Sequence, residues 1–254
     1  PRHGYLPDEE ACEATAFIRR PRDEPFFLYV AFHAPHVPLE VTQEYYDRHP
    51  GFPHAKRIYA GMISALDDGV GAILDELSAS GRDERTLVIF LSDNGAADYV
   101  DFDGARNRPL SGHKATLYEG GVRVPFVLRW KGQLAPRDSD APLSALDVFP
   151  TALAAAGVDG SSLALDGVDL LPYLRGDHVD PPRETLFWRS GPNAAARRER
   201  WKLLETGDGR ARLCDLAGDV GEDRDVAGEH PEIAAELARA LRAWRANLLP
   251  PRSG

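Results

Sequence analysis

The first two thirds of the chain alternate unbroken apolar runs with stretches of helical periodicity. Residues 25–32, 86–91 and 125–130 are rich in Leu, Val, Ile and Phe, and they lack the polar alternation of a strand with one face in water. Runs of this kind predict strands that are buried on both faces. Such strands are typical of a parallel sheet with a layer of structure on each side.

Helical stretches separate these predicted strands. Residues 54–80 place apolar side chains at helical intervals before Gly81, and residues 8–20 begin with acidic residues and end with arginines. We expect a third helix over residues 144–156. Strands that alternate with helices predict an α/β fold, in which a mostly parallel sheet is covered by helices on both faces.

The last third of the chain has a different pattern. A charged, Pro-rich connector over residues 176–183 precedes short strand-like segments, a hairpin turn at residues 207–209 and an amphipathic helix over residues 231–249. These elements predict a small C-terminal antiparallel α+β lobe. We therefore divide the chain into residues 1–176 and 177–254. The predicted strands of the lobe are residues 185–189, 199–205 and 211–216.

Composition limits the classes of partner. The 254 residues are 43% apolar, which is enough for a sizeable core, and the formal net charge of −10 argues against nucleic acid as a partner. That charge also does not attract an anionic substrate from a distance, so an anion site depends on a local cationic pocket. No apolar run approaches the roughly 20 residues that cross a bilayer, and we expect no membrane span.

Candidate chemistry begins at the end of the second apolar run, where Asp93 and Asn94 follow residues 86–91. Open α/β sheets bind ligands at the carboxyl ends of their strands. An adjacent carboxylate and amide carbonyl offer two hard oxygen donors, which suit Ca²⁺ or Mg²⁺. Residues 93–95 taken alone are more typical of a turn than of a metal site. The metal interpretation gains support from Lys114, because the glycines around it allow close backbone approach and its cation can bind an anionic oxygen.

A histidine pair follows the first apolar run. His33 and His36 alternate with two prolines, which stiffen the loop as a positioned proton donor or anion ligand requires. Ordinary loop histidines are the alternative interpretation. A zinc pair would need a third protein ligand, and the surrounding sequence offers no Cys or His run to supply it.

Taken in order, these segments resemble the sulfatase family of the alkaline-phosphatase-like superfamily. The resemblance covers nearly the whole chain, and it implies hydrolysis of a sulfate ester of a small molecule or a glycan. The segments that carry it are residues 25–39, 59–71, 92–95, 114–125, 147–151, 165–172, 201–204 and 213–219.

The resemblance also implies roles for single residues. Asp93 and Asn94 would bind a divalent metal, Ca²⁺ or Mg²⁺. His36 and Lys114 would contact the sulfate and the ester oxygen and act in catalysis, with Lys114 stabilising negative charge on the leaving group. Glu119 and Arg123 lie near this site in the sequence, where they either take part or pin the loop.

Two parts of a sulfatase site are missing from the sequence. The nucleophile of this family, a formylglycine, arises from a Cys or Ser in a Cys/Ser-x-Pro-x-Arg context, and neither Cys12 nor Cys214 lies in one. The consecutive acidic metal ligands after the first strand are also missing, because Asp67 and Asp68 fall in the middle of a predicted helix. We therefore expect the formylglycine in an N-terminal half outside these residues, and we expect this chain to be an inactive fragment.

Two alternative functions stay open. One is a phosphatase or phosphonate hydrolase of the same superfamily, although no Asp-x-x-x-His ligand set stands within residues 93–125. The other is a non-catalytic remnant. Many members of the family are exported, but the sequence itself makes no prediction about the compartment.

Overall fold

The computed structural model describes residues 4–98 and 107–248. Contacts divide the chain into two compact units, which are residues 1–88 with 130–133 and residues 89–129 with 134–254. The boundary predicted between residues 176 and 177 falls inside the second unit and stays a prediction. No helix within the described residues is long and apolar enough to cross a membrane.

Helices dominate the first unit. They are α1 (Leu6–Arg19), α2 (Gln43–Asp47) and α3 (His54–Ala79), followed by a short 3-10 turn. Helix α1 packs on α3, and both agree with the predicted helices to within two residues. The end of α3 is a left-handed glycine cap: Gly81 has φ +68°, and Arg82 N donates to Leu77 O at 2.9 Å.

The strand predicted over residues 25–32 is wrong. This segment is extended but has no strand partner in the described part of the chain, and its side chains alternate between partly buried and exposed. Phe27 and Tyr29 are 75% and 80% exposed. An unbroken apolar run indicates that both faces of a segment prefer to be buried. A strand also needs a neighbouring backbone to complete its hydrogen bonds.

The second unit opens with a two-stranded sheet and three helices. Strands β1 (Val88–Leu91) and β2 (Phe126–Arg129) pair with each other, which confirms the second and third predicted strands. The helices are α4 (Glu119–Val122), α5 (Val148–Ala155) and α6 (Leu171–Arg175). A 3-10 turn that precedes α5 starts with a capping box at Ser144 and Asp147, so the predicted helix over residues 144–156 is confirmed.

A four-stranded antiparallel sheet and a helix follow, as predicted for the C-terminal lobe. The strands are β3 (Leu186–Ser190), β4 (Asn193–Arg198), β5 (Trp201–Glu205) and β6 (Ala211–Asp215), hydrogen-bonded in that order. Helix α7 (Pro231–Ala246) packs against one face of this sheet.

Strand β4 was missed by the sequence prediction. Its sequence, Asn-Ala-Ala-Ala-Arg-Arg, lacks the β-branched and aromatic residues typical of strands. Small residues are needed there because Ala194 and Ala196 lie against α7 and are fully buried. From sequence alone, the charged run of residues 197–200 is typical of a solvated strand edge. This interpretation is wrong for Arg197 and Arg198, since they lie on β4, which pairs on both sides.

Candidate functional site

The proposed metal-binding residues lie at the carboxyl end of β1, as the sequence predicts. Asp93 is exposed and Asn94 is half-buried. Ser92 N donates to Pro125 O at 3.2 Å, and Ser92 Oγ donates to Asn94 O at 2.9 Å, so backbone carbonyls and a serine hydroxyl shape this turn. Asp93 and Asn94 therefore place a carboxylate and an amide group at a strand end whose turn is held by hydrogen bonds.

The loop that carries Lys114 lies directly against this turn. Lys114 N donates to Ala96 O at 3.0 Å, and Gly95 N donates to Gly121 O at 3.1 Å. Lys114 itself is half-buried. The structure thus brings the backbone of Lys114 to within hydrogen-bonding distance of the segment that holds Asp93 and Asn94.

Close approach between these segments requires glycine. A Cβ atom on Gly95 would lie 1.7 Å from Gly120 O, and one on Gly121 would lie 2.3 Å from Thr116 O. Distances this short are excluded for a real side chain because the obstructing atoms are backbone. The prediction that glycines permit close backbone approach around Lys114 is therefore confirmed.

Asn107 joins the two segments through its side chain, and sequence reasoning missed it. Its Nδ2 donates to Ala96 O at 3.2 Å and to Gly112 O at 3.1 Å, while its Oδ1 accepts from Ala96 N at 2.9 Å. An amide group of this kind supplies both donors and an acceptor. A single Asn in a polar loop has no pattern that distinguishes it from a turn residue, so the sequence offered no signal.

Backbone strain is concentrated next to Lys114. Ala115 adopts φ 72°, a left-handed conformation that costs a non-glycine residue about 1–2 kcal/mol. The neighbouring turn holds this conformation, because His113 Nδ1 donates to Lys114 O at 2.8 Å and Thr116 N donates to His113 O at 2.9 Å. His113 therefore supports the backbone of Lys114.

His36 lies in the first unit, whereas Asp93, Asn94 and Lys114 lie in the second. Its Nδ1 lies 2.8 Å from Val37 O, and a carbonyl can only accept, so Nδ1 carries the proton. A neutral ring then has its lone pair on Nε2. His33 differs, because its backbone N–H and its ring both contact the carboxylate of Glu10, at 3.2 and 3.3 Å.

The acidic pair on α3 behaves as predicted. Asp67 and Asp68 are exposed in the middle of the helix, and Asp68 accepts from Arg48 at 2.7 Å. Within residues 4–98 and 107–248, no group of three or more His, Cys, Asp or Glu side chains could hold a metal ion. Asp93 and Asn94 offer two oxygen donors, which are fewer than Ca²⁺ requires by themselves.

Glu119 pins the Lys114 loop from inside the protein. It is fully buried at the start of α4, and its two carboxylate oxygens accept from Lys202 Nζ at 2.9 Å and Arg197 Nη1 at 3.1 Å. Arg123 lies further off, at 3.9 Å, and is partly exposed. The sequence left the roles of Glu119 and Arg123 open. Glu119 accepts hydrogen bonds from two cations, and Arg123 makes a long ion pair with the same carboxylate.

A second buried carboxylate completes this cluster. Glu222 Oε2 accepts from the backbone N–H of Glu119 at 2.6 Å, and its Oε1 lies 3.0 Å from Lys202 Nζ in an ion pair that lacks hydrogen-bond geometry. Burial raises the pKa of Glu222 above its ordinary value of 4.5, although the charge of Lys202 opposes this shift.

We expect a pH-dependent contribution of Glu222 to stability. A carboxyl whose pKa is raised by folding binds its proton more tightly in the folded chain, so stability falls as pH rises from about 4.5 through the raised pKa. Glu222→Gln mimics the protonated form and removes this term. The melting temperature of the unsubstituted chain minus that of Glu222→Gln should therefore decrease with rising pH, because the titration of carboxyls that do not interact with Glu222 cancels in the difference. A difference that grows with pH would contradict the assignment.

Comparison with known proteins gives consistent matches over this chain. A family model described as Sulfatase matches residues 2–158. The uncharacterized sulfatase YdeN of Escherichia coli K12 is 37% identical over 194 residues, which cover 74% of this chain and 34% of that protein. Human arylsulfatase A is 32% identical over 258 residues, covering 89% and 50%. The chain thus spans about a third to a half of the length of these relatives.

Solved structures with the same fold cover almost all of the chain. Ps i-CgsB in complex with k-i-k-neocarrahexaose matches with a TM-score of 0.84 at 31% identity, over 94% of this chain and 55% of that one. The PsFucS1 sulfatase of Pseudoalteromonas sp. gives 0.78 at 25% identity, over 93% and 51%. The phosphonate monoester hydrolase of Agrobacterium radiobacter gives 0.73 at 25% identity, over 97% and 62%. These matches confirm the predicted α/β fold class.

Proposed function

This chain belongs to the sulfatase family, and from that membership we propose that it takes part in the hydrolysis of sulfate esters. The observation that supports the proposal most directly is the attachment of the Lys114 loop to the turn of Asp93 and Asn94. Lys114 N and Gly95 N donate across this junction. A cation and two oxygen donors are thereby held on adjacent backbone segments, which is an arrangement suited to a tetrahedral anion and a divalent metal.

We infer that Asp93 and Asn94 hold Ca²⁺ or Mg²⁺. Both ions prefer oxygen ligands, and the carboxylate of Asp93 supplies a negative charge. When bound, such a metal would withdraw charge from the sulfate oxygens and orient a nucleophile. Further ligands would have to come from outside this pair.

His36 and Lys114 contact substrate in this proposal. Lys114 stabilises the negative charge that develops on the leaving oxygen as the ester bond breaks. His36 binds the sulfate group or transfers a proton at Nε2, since Nδ1 is committed to Val37 O.

The nucleophile in this proposal is not either cysteine of the chain. Cys214 is buried in the C-terminal sheet, and burial raises the pKa of its thiol to about 11, which disfavours the thiolate. Cys12 is exposed but precedes Glu-Ala-Thr-Ala, which is not a formylglycine context. We infer that a formylglycine is supplied from outside residues 1–254, and that these residues contribute the second half of the site.

Sulfated glycans or small sulfate esters are the proposed substrates. Ps i-CgsB, which shares 31% identity with this chain, was solved in complex with k-i-k-neocarrahexaose. An acidic chain with a formal net charge of −10 does not draw such an anion from a distance, so recognition would rest on Lys114 and the metal.

A phosphonate ester hydrolase is the second candidate function. The likeness to the phosphonate monoester hydrolase of Agrobacterium radiobacter, at 25% identity, favours it specifically. Metal-assisted attack on a tetrahedral anion suits phosphorus as well as sulfur. Relative rates on a sulfate ester and a phosphonate ester of the same leaving group would separate the two candidates.

The test of the proposal compares two proteins. Residues 1–254 alone are expected to hydrolyse an aryl sulfate no faster than buffer, whether Ca²⁺ or Mg²⁺ is added, because no nucleophile is present. The protein extended upstream through a Cys/Ser-x-Pro-x-Arg segment should hydrolyse it. Turnover by residues 1–254 that disappears with EDTA would contradict the missing nucleophile. An upstream sequence without that segment would support a non-catalytic remnant.

A further inference from the structure

The C-terminal sheet has two covered faces, and only one of them packs on a helix. Side chains of one face form a core with α7, centred on Leu203 and Leu213. Side chains of the other face, including Leu204 and Cys214, pack against Leu117 and Tyr118. Those two residues immediately precede Glu119, so the second face of the sheet supports the far end of the Lys114 loop.

Two cations on this second face converge on Glu119. Arg197 on β4 and Lys202 on β5 are directly opposite each other in the antiparallel register, so their side chains emerge on the same face. Lys202 is fully buried, and Arg197 is 15% exposed. A buried charge is tolerated where it is paired, and here each cation has a carboxylate oxygen of Glu119 within 3.1 Å.

From Glu119 the connection continues to both halves of the candidate site. Gly120 N donates to Ser111 O at 2.6 Å, which ties α4 to the start of the Lys114 loop. Gly121 O accepts from Gly95 N, which ties α4 to the turn that carries Asp93 and Asn94. Helix α4 is therefore the junction between the sheet and the two functional segments.

Helix α4 cannot fix its own position. It has only four residues, and an isolated helix of one turn does not form in water. Gly120 and Gly121 add no side-chain packing. Its anchors outside the two functional segments include the buried side chain of Glu119 and the backbone N–H of that residue, which donates to Glu222.

We propose that Lys202, acting through Glu119, is a positioning residue for the candidate site. It sets the place of α4, and α4 in turn aligns the Lys114 loop with the turn of Asp93 and Asn94. The functional meaning of this alignment rests on the proposed sulfatase activity, whereas the mechanical connection does not.

Hydrogen–deuterium exchange tests the connection without an activity assay. In residues 1–254, Lys202→Met should speed amide exchange of peptides from residues 93–96 and 111–122 on the order of tenfold or more, since a buried Glu119 that keeps only the Arg197 ion pair holds α4 less firmly. Glu119→Gln should have the same effect. The double variant Glu119→Gln/Lys202→Met should exchange no faster than the faster single variant, because both changes break one contact.

A matched control separates positioning from loss of stability. Leu203→Ala weakens the same strand through the face that packs on α7, without touching Glu119. At temperatures equally far below each melting point, Lys202→Met should exchange faster than Leu203→Ala in the two peptides and no faster in α7, because Leu203 packs on α7 and Lys202 does not. Equal exchange in the two peptides would overturn the proposal. If Lys202→Met does not fold, Arg197→Met provides the same comparison at a partly exposed position.

The exchange experiment can succeed or fail independently of the proposed sulfatase activity. An extended protein that lacks sulfatase activity would leave the exchange result unchanged. In an active protein, Lys202→Met should lower kcat more than it raises KM, because misalignment of Lys114 affects the developing charge more than ground-state binding. Exchange that does not change while kcat falls would also overturn the connection through α4.

Discussion

Replacing Lys114 by alanine in the extended protein is expected to reduce turnover of a sulfate ester on the order of 10²–10³-fold. On the proposed assignment, the variant removes the cation that stabilises the negative charge on the leaving oxygen. Added Ca²⁺ should not restore the rate, and the metal content should stay unchanged. Steady-state rates on one activated and one unactivated ester, with bound metal measured in parallel, check this expectation.

Lys56→Ala is the matched control for Lys114→Ala. Lys56 is a half-buried cation on α3 that lies over the ring of Phe52, 4.5 Å from its centroid, and it has no role in the proposed site. Its removal changes the net charge by the same amount and should leave turnover within about twofold, since Lys56 lies on neither of the backbone segments that carry Lys114 and Asp93. Loss of metal from Lys114→Ala would show that Lys114 acts on the metal site instead.

Replacing Asp93 by alanine should have the opposite signature. On the proposed assignment it removes a charged metal ligand, so Ca²⁺ affinity and turnover should fall together, by more than the roughly 10–100-fold that loss of an outer-shell partner costs. Excess metal should restore part of the activity, because Asn94 and the backbone of the turn remain in place. Calcium titration of the two proteins, followed by rates at saturating metal, measures both effects.

Asp68→Ala is the control for Asp93→Ala. Asp68 is a surface carboxylate paired with Arg48, and it belongs to the acidic pair that an alternative interpretation would assign to the metal. Its replacement should leave metal affinity and turnover unchanged. A variant of Asp93 that keeps its metal, or a variant of Asp68 that loses it, would reverse the assignment of ligands.

Local sequence patterns predicted those elements whose sequence signal lies within one short segment. Helix α3 was predictable because its apolar spacing and its glycine cap lie within one segment, and β1 and β2 were predictable from short apolar runs. The turn at Asp93 and Asn94 and the glycines around Lys114 were also visible. Each of these features is determined by backbone geometry within a few residues.

Features that depend on distant partners were not predictable. Lys202 stands 83 residues from Glu119 along the chain, and a lysine in an antiparallel strand normally faces solvent. Its burial follows only when the second face of the sheet is covered by Leu117 and Tyr118. The strand prediction over residues 25–32 was wrong because apolar composition cannot show whether a strand partner is present.

The buried pair of Glu119 and Lys202 limits which segments of this protein can be exchanged for those of a relative. The loop supplies the anion and the sheet supplies its two cations. Neither part can therefore be exchanged for that of a relative without the other. A chimaera that exchanged residues 177–254 for those of a relative would inherit an unpaired carboxylate unless the donor also carried cations at the positions of Arg197 and Lys202. Substitutions at these three positions should accordingly be tolerated in combination and rejected singly, so a library that varies them jointly would recover far more folded members than one that varies each in turn.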